Sequence, residues 1–314
     1  MTRHGKRRQP PPTKAGLSPQ LPGTPSLVEL ERFSSLGLVQ WRNKFACLRE
    51  LYTEVYFGIE AQRATSAVAL TEALRANAVT GPVEFDGWAR IVDYQYSLKP
   101  LSVAGSLATE GGRFNVGRRL NAAAFAPFPA LYVASSYETA YAEKFGVRVS
   151  ESRNQLASDE LVLRRPSSFT CVRLQGSVEL CFDAGDLLAL RAFASVIARF
   201  RLPERALRIA RSMRLVPPAM IRSPSALRSQ LLHPHWNTLP MHFDLPSNAQ
   251  TFGRLVAAAG FHGIRYPSVR EPQGYCVAIF PQNWRGSMSV LEVADAQPEH
   301  ARLTRIDGDT ELFE

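Results

Sequence analysis

Residues 130–146 read ALYVASSYETAYAEKFG. Leu131–Val133 form a short apolar run of strand type, and after two serines the chain takes up the three- and four-residue spacing of a helix. Ser135 with Glu138 fits a capping box, and Gly146 stands where a helix would end. On a helical wheel Tyr137, Tyr141 and Phe145 share a face, and Glu143 lies nearly opposite, on the side of the small Ala140. By periodicity alone Glu143 is a solvated glutamate; beside Ala140 it can also line a cleft that another backbone approaches. Just upstream, TEGGRFNVGRR (109–119) sets Arg113 between two glycines and Asn115. A packed core requires none of these polar residue types, whereas a pocket for an anionic substrate does.

Outward from this centre, VEFDGWARIVDYQY (83–96) alternates like a strand and carries Arg90. FTCVRLQGSVELCF (169–182) reads as a hairpin around Gly176. Asp186 opens a helix through LLALRAFASVIARF, and Glu204 begins an arginine-rich helix that reaches about Leu215, before Pro217 and Pro218. SNAQTFGRLVAAAG is a helix capped by Ser247 or Asn248 and closed by Gly260. GIRYPS and YCVAIF are two strands joined by VREPQG, and ARLTRIDGDTELFE suggests a final hairpin turning at Asp307-Gly308. Residues 27–79 show helical spacing, enough for two or three helices. Helices and strands mix without regular βαβ alternation, so the fold class is α+β with mostly antiparallel pairing.

The chain has 314 residues, is 45% apolar and carries a formal charge of +9. That length accommodates one large domain or two ordinary ones. No apolar run approaches the ~20 residues of a membrane span, and the charged, proline-rich start has no signal-peptide core. The four cysteines, Cys47, Cys171, Cys181 and Cys276, are scattered. They suit a reduced, cytoplasmic chain better than a disulfide framework, although Cys171 and Cys181 would face each other across the expected hairpin. Residues 1–14 hold Arg3, Lys6, Arg7, Arg8 and Lys14 without an acid, and residues 199–228 hold Arg199, Arg201, Arg205, Arg208, Arg211, Arg214, Arg222 and Arg228 against Glu204 alone. Such a surplus is either a solvated face or a surface for nucleic acid, an acidic partner or a phosphorylated substrate.

Phosphate-loop, dinucleotide GxGxxG, HExxH and GxSxG signatures are absent. His233 and His235 in HPHW lack further ligands at metal spacing and read as ordinary loop histidines, so no metal is expected. The residues that stand out lie at the ends of strand-like runs: Arg90, Arg113, Tyr132, Glu143, Ser268 and Arg270. Nicotinamide dinucleotide chemistry makes matching demands. Arginine forks grip a pyrophosphate, aromatic faces stack on rings, and a carboxylate stabilises the cationic sugar formed when the nicotinamide–ribose bond breaks. Each residue also has a plain structural reading: an ion pair of Arg90 with Asp86 or Asp93, core packing of Tyr132, a loop serine at 268, an exposed basic residue at 270.

The order R…GGRFN…LYVASSYETAYAE…GIRYPSVR…VAIF resembles the RES-domain family over roughly residues 82–284. That resemblance implies a fold like that of ADP-ribosyltransferase toxins, with a mostly antiparallel split sheet. It implies NAD as the substrate, cleaved by hydrolysis, by phosphorolysis or by transfer of ADP-ribose to a protein. Carried over by position, Arg90 is the first strand arginine and Arg113 that of a GGRWN-like motif in which Phe114 replaces tryptophan. Tyr132 is the strand aromatic, Glu143 the glutamate ending the TAxAE helix and Ser268 the serine of GIxYPSxR. Arg90, Arg113 and Glu143 are then the catalytic set, and Arg90, Arg113, Tyr132, Ser268, Asn115 and Arg270 bind NAD. The implied partner is a cognate antitoxin with a helix-turn-helix DNA-binding portion. Alternatives from other classes are a nucleic-acid-binding protein using the basic arm and helix, and a non-catalytic module that binds NAD or a protein.

The expected organisation is a basic arm (1–26), a helical extension (27–80), a catalytic domain (81–285) enlarged by an arginine-rich helical stretch at about 184–230, and a C-terminal hairpin or tail (286–314). VGRRLNAAAFAPFPAL (116–131) is longer than the family's connection between the GGR loop and the strand.

Overall fold

The computed structural model describes residues 35–76, 81–121, 123–146, 148, 168–238 and 241–310. The arm expected at 1–26 lies outside them. Two compact units divide the chain at Met1–Ala46 and Cys47–Glu314. The described part of the first is the start of helix α1 (Ser35–Thr65), where the Trp41 and Phe45 rings stack 5.6 Å apart. No described helix is long and apolar enough to cross a membrane.

In the second unit α1 is followed by α2 (Ala67–Arg75), β1 (Val83–Asp93), a short 3-10 turn, α3 (Ala104–Leu107), β2 (Leu131–Ala134) and α4 (Tyr137–Phe145). Next come β3 (Phe169–Val178), β4 (Cys181–Asp183), α5 (Leu187–Ile197), α6 (Glu204–Ser212) and α7 (Pro224–Leu231). The chain then continues through α8 (Asn248–Ala258), β5 (Gly263–Pro267), β6 (Tyr275–Ile279), β7 (Val290–Val293) and β8 (Arg305–Ile306). The strands form one sheet in the order β4-β5-β6-β2-β1-β3-β7-β8, antiparallel except for β4 with β5.

Alternation along the strands gives the sheet two apolar faces. Tyr132, Ala134, Cys276 and Ala278 point to one face, which Leu70 and Leu74 of α2, Phe193 of α5, Leu231 of α7 and Phe252 of α8 cover. Leu131, Val133, Val277 and Ile279 point to the other, covered by Leu101, Val103 and the fully buried Trp284. Only Glu179 and Leu180 separate β3 from β4, yet four strands lie between them in the sheet. Two residues span roughly 10 Å at most, about two strand spacings, so the sheet curls back on itself and brings its β4 edge close to β3.

Two local expectations change. The hairpin at Gly176 does not form: β3 runs straight through that residue, paired with β1 on one side and β7 on the other. Gly176 is there because the backbone of β7 comes so close that a Cβ would sit 2.2 Å from the Val290 carbonyl oxygen. All four cysteines are accordingly free. The cap of α4 is Ser136, whose hydroxyl accepts from Thr139 N at 3.1 Å, while the Ser135 hydroxyl accepts from Tyr275 N and ties the helix entry to β6. Arg305–Ile306 pairs with the preceding β7, and the second arm of the hairpin expected to turn at Asp307-Gly308 falls on residues 311–314, outside the described ones.

Other readings hold. Ser247 and Gln250 form a capping box on α8, Gly260 follows its end at φ +88°, and β5 and β6 are the antiparallel pair expected from GIRYPS and YCVAIF. Within the arginine-rich stretch, Arg205 pairs with Glu50 at 2.6 Å and Glu54 at 3.4 Å.

Helix α8 lies against the GGRFN loop: a Cβ on Gly253 would sit 2.0 Å from the Phe114 carbonyl oxygen. Gly253→Ala should therefore destabilise the protein by about 1–3 kcal/mol through overpacking, against the ~1 kcal/mol gain that helix propensity alone gives; urea unfolding measures the sign. A second expectation concerns pH. Burial lowers the His262 imidazole below its ordinary 6.5, opposed by the Glu179 charge. The unfolded chain then binds more protons, so this contribution to stability is intact above pH 6.5 and is lost as the pH falls below it. Melting temperatures between pH 7.5 and 5 should fall, and His262→Gln should flatten that slope.

Candidate functional site

Strands β1 and β2 pair at one position only, Ala89 opposite Ala134. Beyond it the sheet splits, and Arg90–Asp93 on one side and Ala130 and Tyr132–Ala134 on the other line a cavity of about 410 Å³. The GGR loop, α4 and Trp236 complete the walls.

Arg90 bridges the split. Its Nη1 donates to the Tyr132 carbonyl at 2.8 Å, on the edge of β2 that a continued ladder would use. Nε donates to Pro100 O at 2.8 Å and Nη2 to Ser102 O at 2.9 Å. Three carbonyl dipoles hold the cation, and burial pushes its pKa down only to about 10, so it stays charged at neutral pH. Of the five N–H bonds of the guanidinium, two remain for other partners. The ion pair with Asp86 or Asp93 does not form; Asp93 instead pairs with Lys144 at 2.7 Å, fastening α4 to the end of β1.

The two glycines of the GGR loop have separate causes. Gly111 adopts φ +98°, with its backbone pressed on the Asn115 carbonyl, where a Cβ would be 2.2 Å away. Gly112 presses on the hydroxyl end of the Tyr132 ring, where a Cβ would be 2.5 Å from Cε2, Cζ and the hydroxyl oxygen. Arg113 follows, 5% exposed, with Nη1 donating to Leu231 O at 3.1 Å and to His233 O at 2.9 Å. Its guanidinium carbon lies 5.7 Å from the centre of the Trp236 ring and 5.9 Å from that of Tyr266.

Asn115 is fully buried and does not line the cavity. Its Oδ1 accepts from Gly112 N at 2.8 Å and from the Tyr132 hydroxyl at 2.9 Å, and its Nδ2 donates to Ser106 O and Phe128 O. The Tyr132 hydroxyl also accepts from Phe114 N, and burial raises its pKa. Tyr132 thus offers the cavity its ring and not its proton.

Glu143 projects from α4 into the cavity beside Ala140, on the face opposite the ring cluster of Tyr141, Phe145 and Phe169. Its Oε1 accepts from the Ser268 hydroxyl at 2.6 Å and from Val269 N at 3.0 Å; no described group bonds Oε2. Ser268 stands behind the carboxylate and not on the cavity wall. Its oxygen accepts from Arg270 N and Glu271 N, closing the turn between β5 and β6. Arg270 also lies off the wall and reaches Pro234 O at 3.4 Å through Nη2.

The structure therefore gathers Arg90, Arg113, Tyr132 and Glu143 around one hollow and sets Asn115, Ser268 and Arg270 just behind it. Sequence reasoning passed over Trp236, Tyr266 and Lys144. No local pattern marks them: Trp236 follows two exposed histidines in the HPHW turn, and Lys144 is a basic residue in the last turn of a helix. Among the described residues no group of three His, Cys, Asp or Glu side chains could hold a metal ion.

The RES domain family model matches residues 88–237 and 192–301, which together take in more than half of the chain and every residue around this cavity. The chain belongs to the RES-domain family. No curated protein matches it. Among solved structures it is similar to a chain of the M. tuberculosis MbcT–MbcA toxin–antitoxin complex, at 16% identity and TM-score 0.38, over 72% of this chain and 90% of that one. The two stretches matched by the family model overlap at 192–237, from within α5 through α7 to Trp236 and Asn237.

Asn115 shapes this RES cavity from behind its wall. Asn115→Ala leaves the Tyr132 hydroxyl, the Gly112 amide and two carbonyls without their partner, and should lower stability by about 3 kcal/mol or more, read as a fall in melting temperature.

Proposed function

We propose that this protein cleaves the nicotinamide–ribose bond of NAD. The observation that carries the reading is the free oxygen of Glu143, fixed through its other oxygen and facing the same hollow as Arg113 and the ring of Tyr132. Breaking the bond sends its electron pair to nicotinamide and leaves positive charge on the ribose. A carboxylate held in a preorganised, water-poor site stabilises that charge as it develops. Arg113 has N–H groups beyond those on Leu231 and His233 for the pyrophosphate, which its planar fork suits. Tyr132 packs a ring face on the nicotinamide side.

The remaining expected site residues act at one remove. Arg90 keeps the split open by holding β2 and the 100–102 loop, with two N–H bonds left for the substrate. Ser268 orients Glu143, Asn115 shapes the GGR loop, and Arg270 steadies the turn at Pro234. Water, phosphate or a protein side chain then attacks the anomeric carbon; with water the products are ADP-ribose, nicotinamide and a proton. RES-family membership supports NAD as the substrate and a toxin of a toxin–antitoxin pair as the biological setting, with an antitoxin bearing a helix-turn-helix portion as its partner and a cellular protein as an acceptor of ADP-ribose.

Purified protein incubated with NAD should release nicotinamide, and Glu143→Ala should lower the rate at least 100-fold without moving the melting temperature by more than a few degrees. Ser268→Ala should lower it about tenfold, chiefly in kcat. Added phosphate and added cell lysate separate phosphorolysis and protein modification from hydrolysis. No release under any of these conditions, or full activity in Glu143→Ala, rejects the reading.

A further inference from the structure

The turn that follows α7, residues 232–238, is fastened over the cavity by two guanidinium groups from different parts of the fold. Arg113 takes the carbonyls of Leu231 and His233, and Arg270 takes that of Pro234. The turn also braces itself, with His235 N donating to His233 Nδ1 and the Thr238 hydroxyl donating to His235 O. What this fixed turn delivers to the cavity is Trp236. The indole is half-buried, lines the hollow and lies over the Arg113 guanidinium at 5.7 Å. A large aromatic face held by a rigid turn at the wall of a cationic cavity is unusual for a plain loop residue. Stacking a flat, electron-poor or heteroaromatic ring is what such a face does well, with a neighbouring cation reinforcing the contact.

We propose that Trp236 forms a base-stacking subsite, a specificity-determining contact for one of the two planar bases of the substrate. The inference rests on the dinucleotide reading above and extends it: the 224–238 segment supplies both the anchors of Arg113 and the ring that recognises the base. The shared chemistry is a planar nitrogen heterocycle carried on a ribose phosphate, and adenine and nicotinamide are its two sources.

Indole emission reports the contact directly. Titrating the protein with ADP-ribose, nicotinamide mononucleotide and ribose 5-phosphate should quench tryptophan fluorescence with one of the first two and not with the last, and the one that quenches names the base. Trp236→Phe should lose that quench while keeping the KM for NAD within about threefold, because a phenyl ring still stacks. Trp236→Ala should raise KM about tenfold or more, as expected for a lost stack, with kcat within about twofold. A quench that persists in Trp236→Phe, equal quenching by ribose 5-phosphate, or an unchanged KM in Trp236→Ala overturns the subsite. If the wild type releases no nicotinamide yet ADP-ribose quenches Trp236, the reaction fails and the subsite stands. Nicotinamide release without quench or KM change fails the subsite alone.

Discussion

A cation laid across a gap in a β-sheet holds this molecule in its working shape. Where β1 and β2 part after Ala89 and Ala134, the ladder that would have joined them is replaced by one side chain, Arg90, reaching the Tyr132 carbonyl and two carbonyls of the neighbouring loop. Opening a sheet exposes backbone groups that want partners, and a planar fork with five donors can serve three of them in different directions. A lysine presents a single ammonium and cannot span the same three points. The cavity is thus a consequence of where pairing stops, and Arg90 supplies the Tyr132 carbonyl on the β2 edge with the donor that β1 no longer provides.

A second layer of control sits behind the walls. Asn115 joins the GGR loop to Tyr132, to the 106 region and to Phe128, while Gln250 of α8 donates to Glu110 O and Asn115 O. The loop that carries Arg113 is therefore held from the core side by amide groups and from the outer side by the carbonyls after α7. On the other wall Glu143 is held by the β5–β6 turn. Buried polar networks of this kind are costly when one member is lost, and here they add to the apolar packing of Phe114, Tyr132 and Tyr266.

Much of this was legible from the chain alone, for identifiable reasons. The strand at 131–134, the helices at 137–145 and 248–258 and the pair at 263–279 announce themselves by periodicity and by punctuating serines and glycines, all local signals. That Arg90, Arg113, Tyr132 and Glu143 would meet around one hollow was legible too, from their recognisable order along the chain. What each polar residue does was not. An asparagine bonded to four backbone or hydroxyl partners and one that touches a ligand look the same in sequence, and so do a serine that steadies a carboxylate and one that meets a substrate. Gly176 misled for a similar reason: its cause is the approach of Val290, more than a hundred residues later, and no window around 176 contains it. Trp236 escaped because its importance comes from Arg113, a contact set by α7 and not by neighbours in the chain.

The distances along the chain between the clamps have a temporal corollary. Glu143 is fixed by a residue 125 positions later, and Arg113 by carbonyls 118 and 120 positions later. A ribosome building this polypeptide from its amino end has therefore produced all of the GGR loop, β2 and α4 long before the groups that hold Arg113 and Glu143 exist. Until the turn between β5 and β6 has left the exit tunnel, the nascent chain carries Arg113 and Glu143 without the partners that aim them, so the synthesising cell meets an assembled cavity only after that turn has emerged.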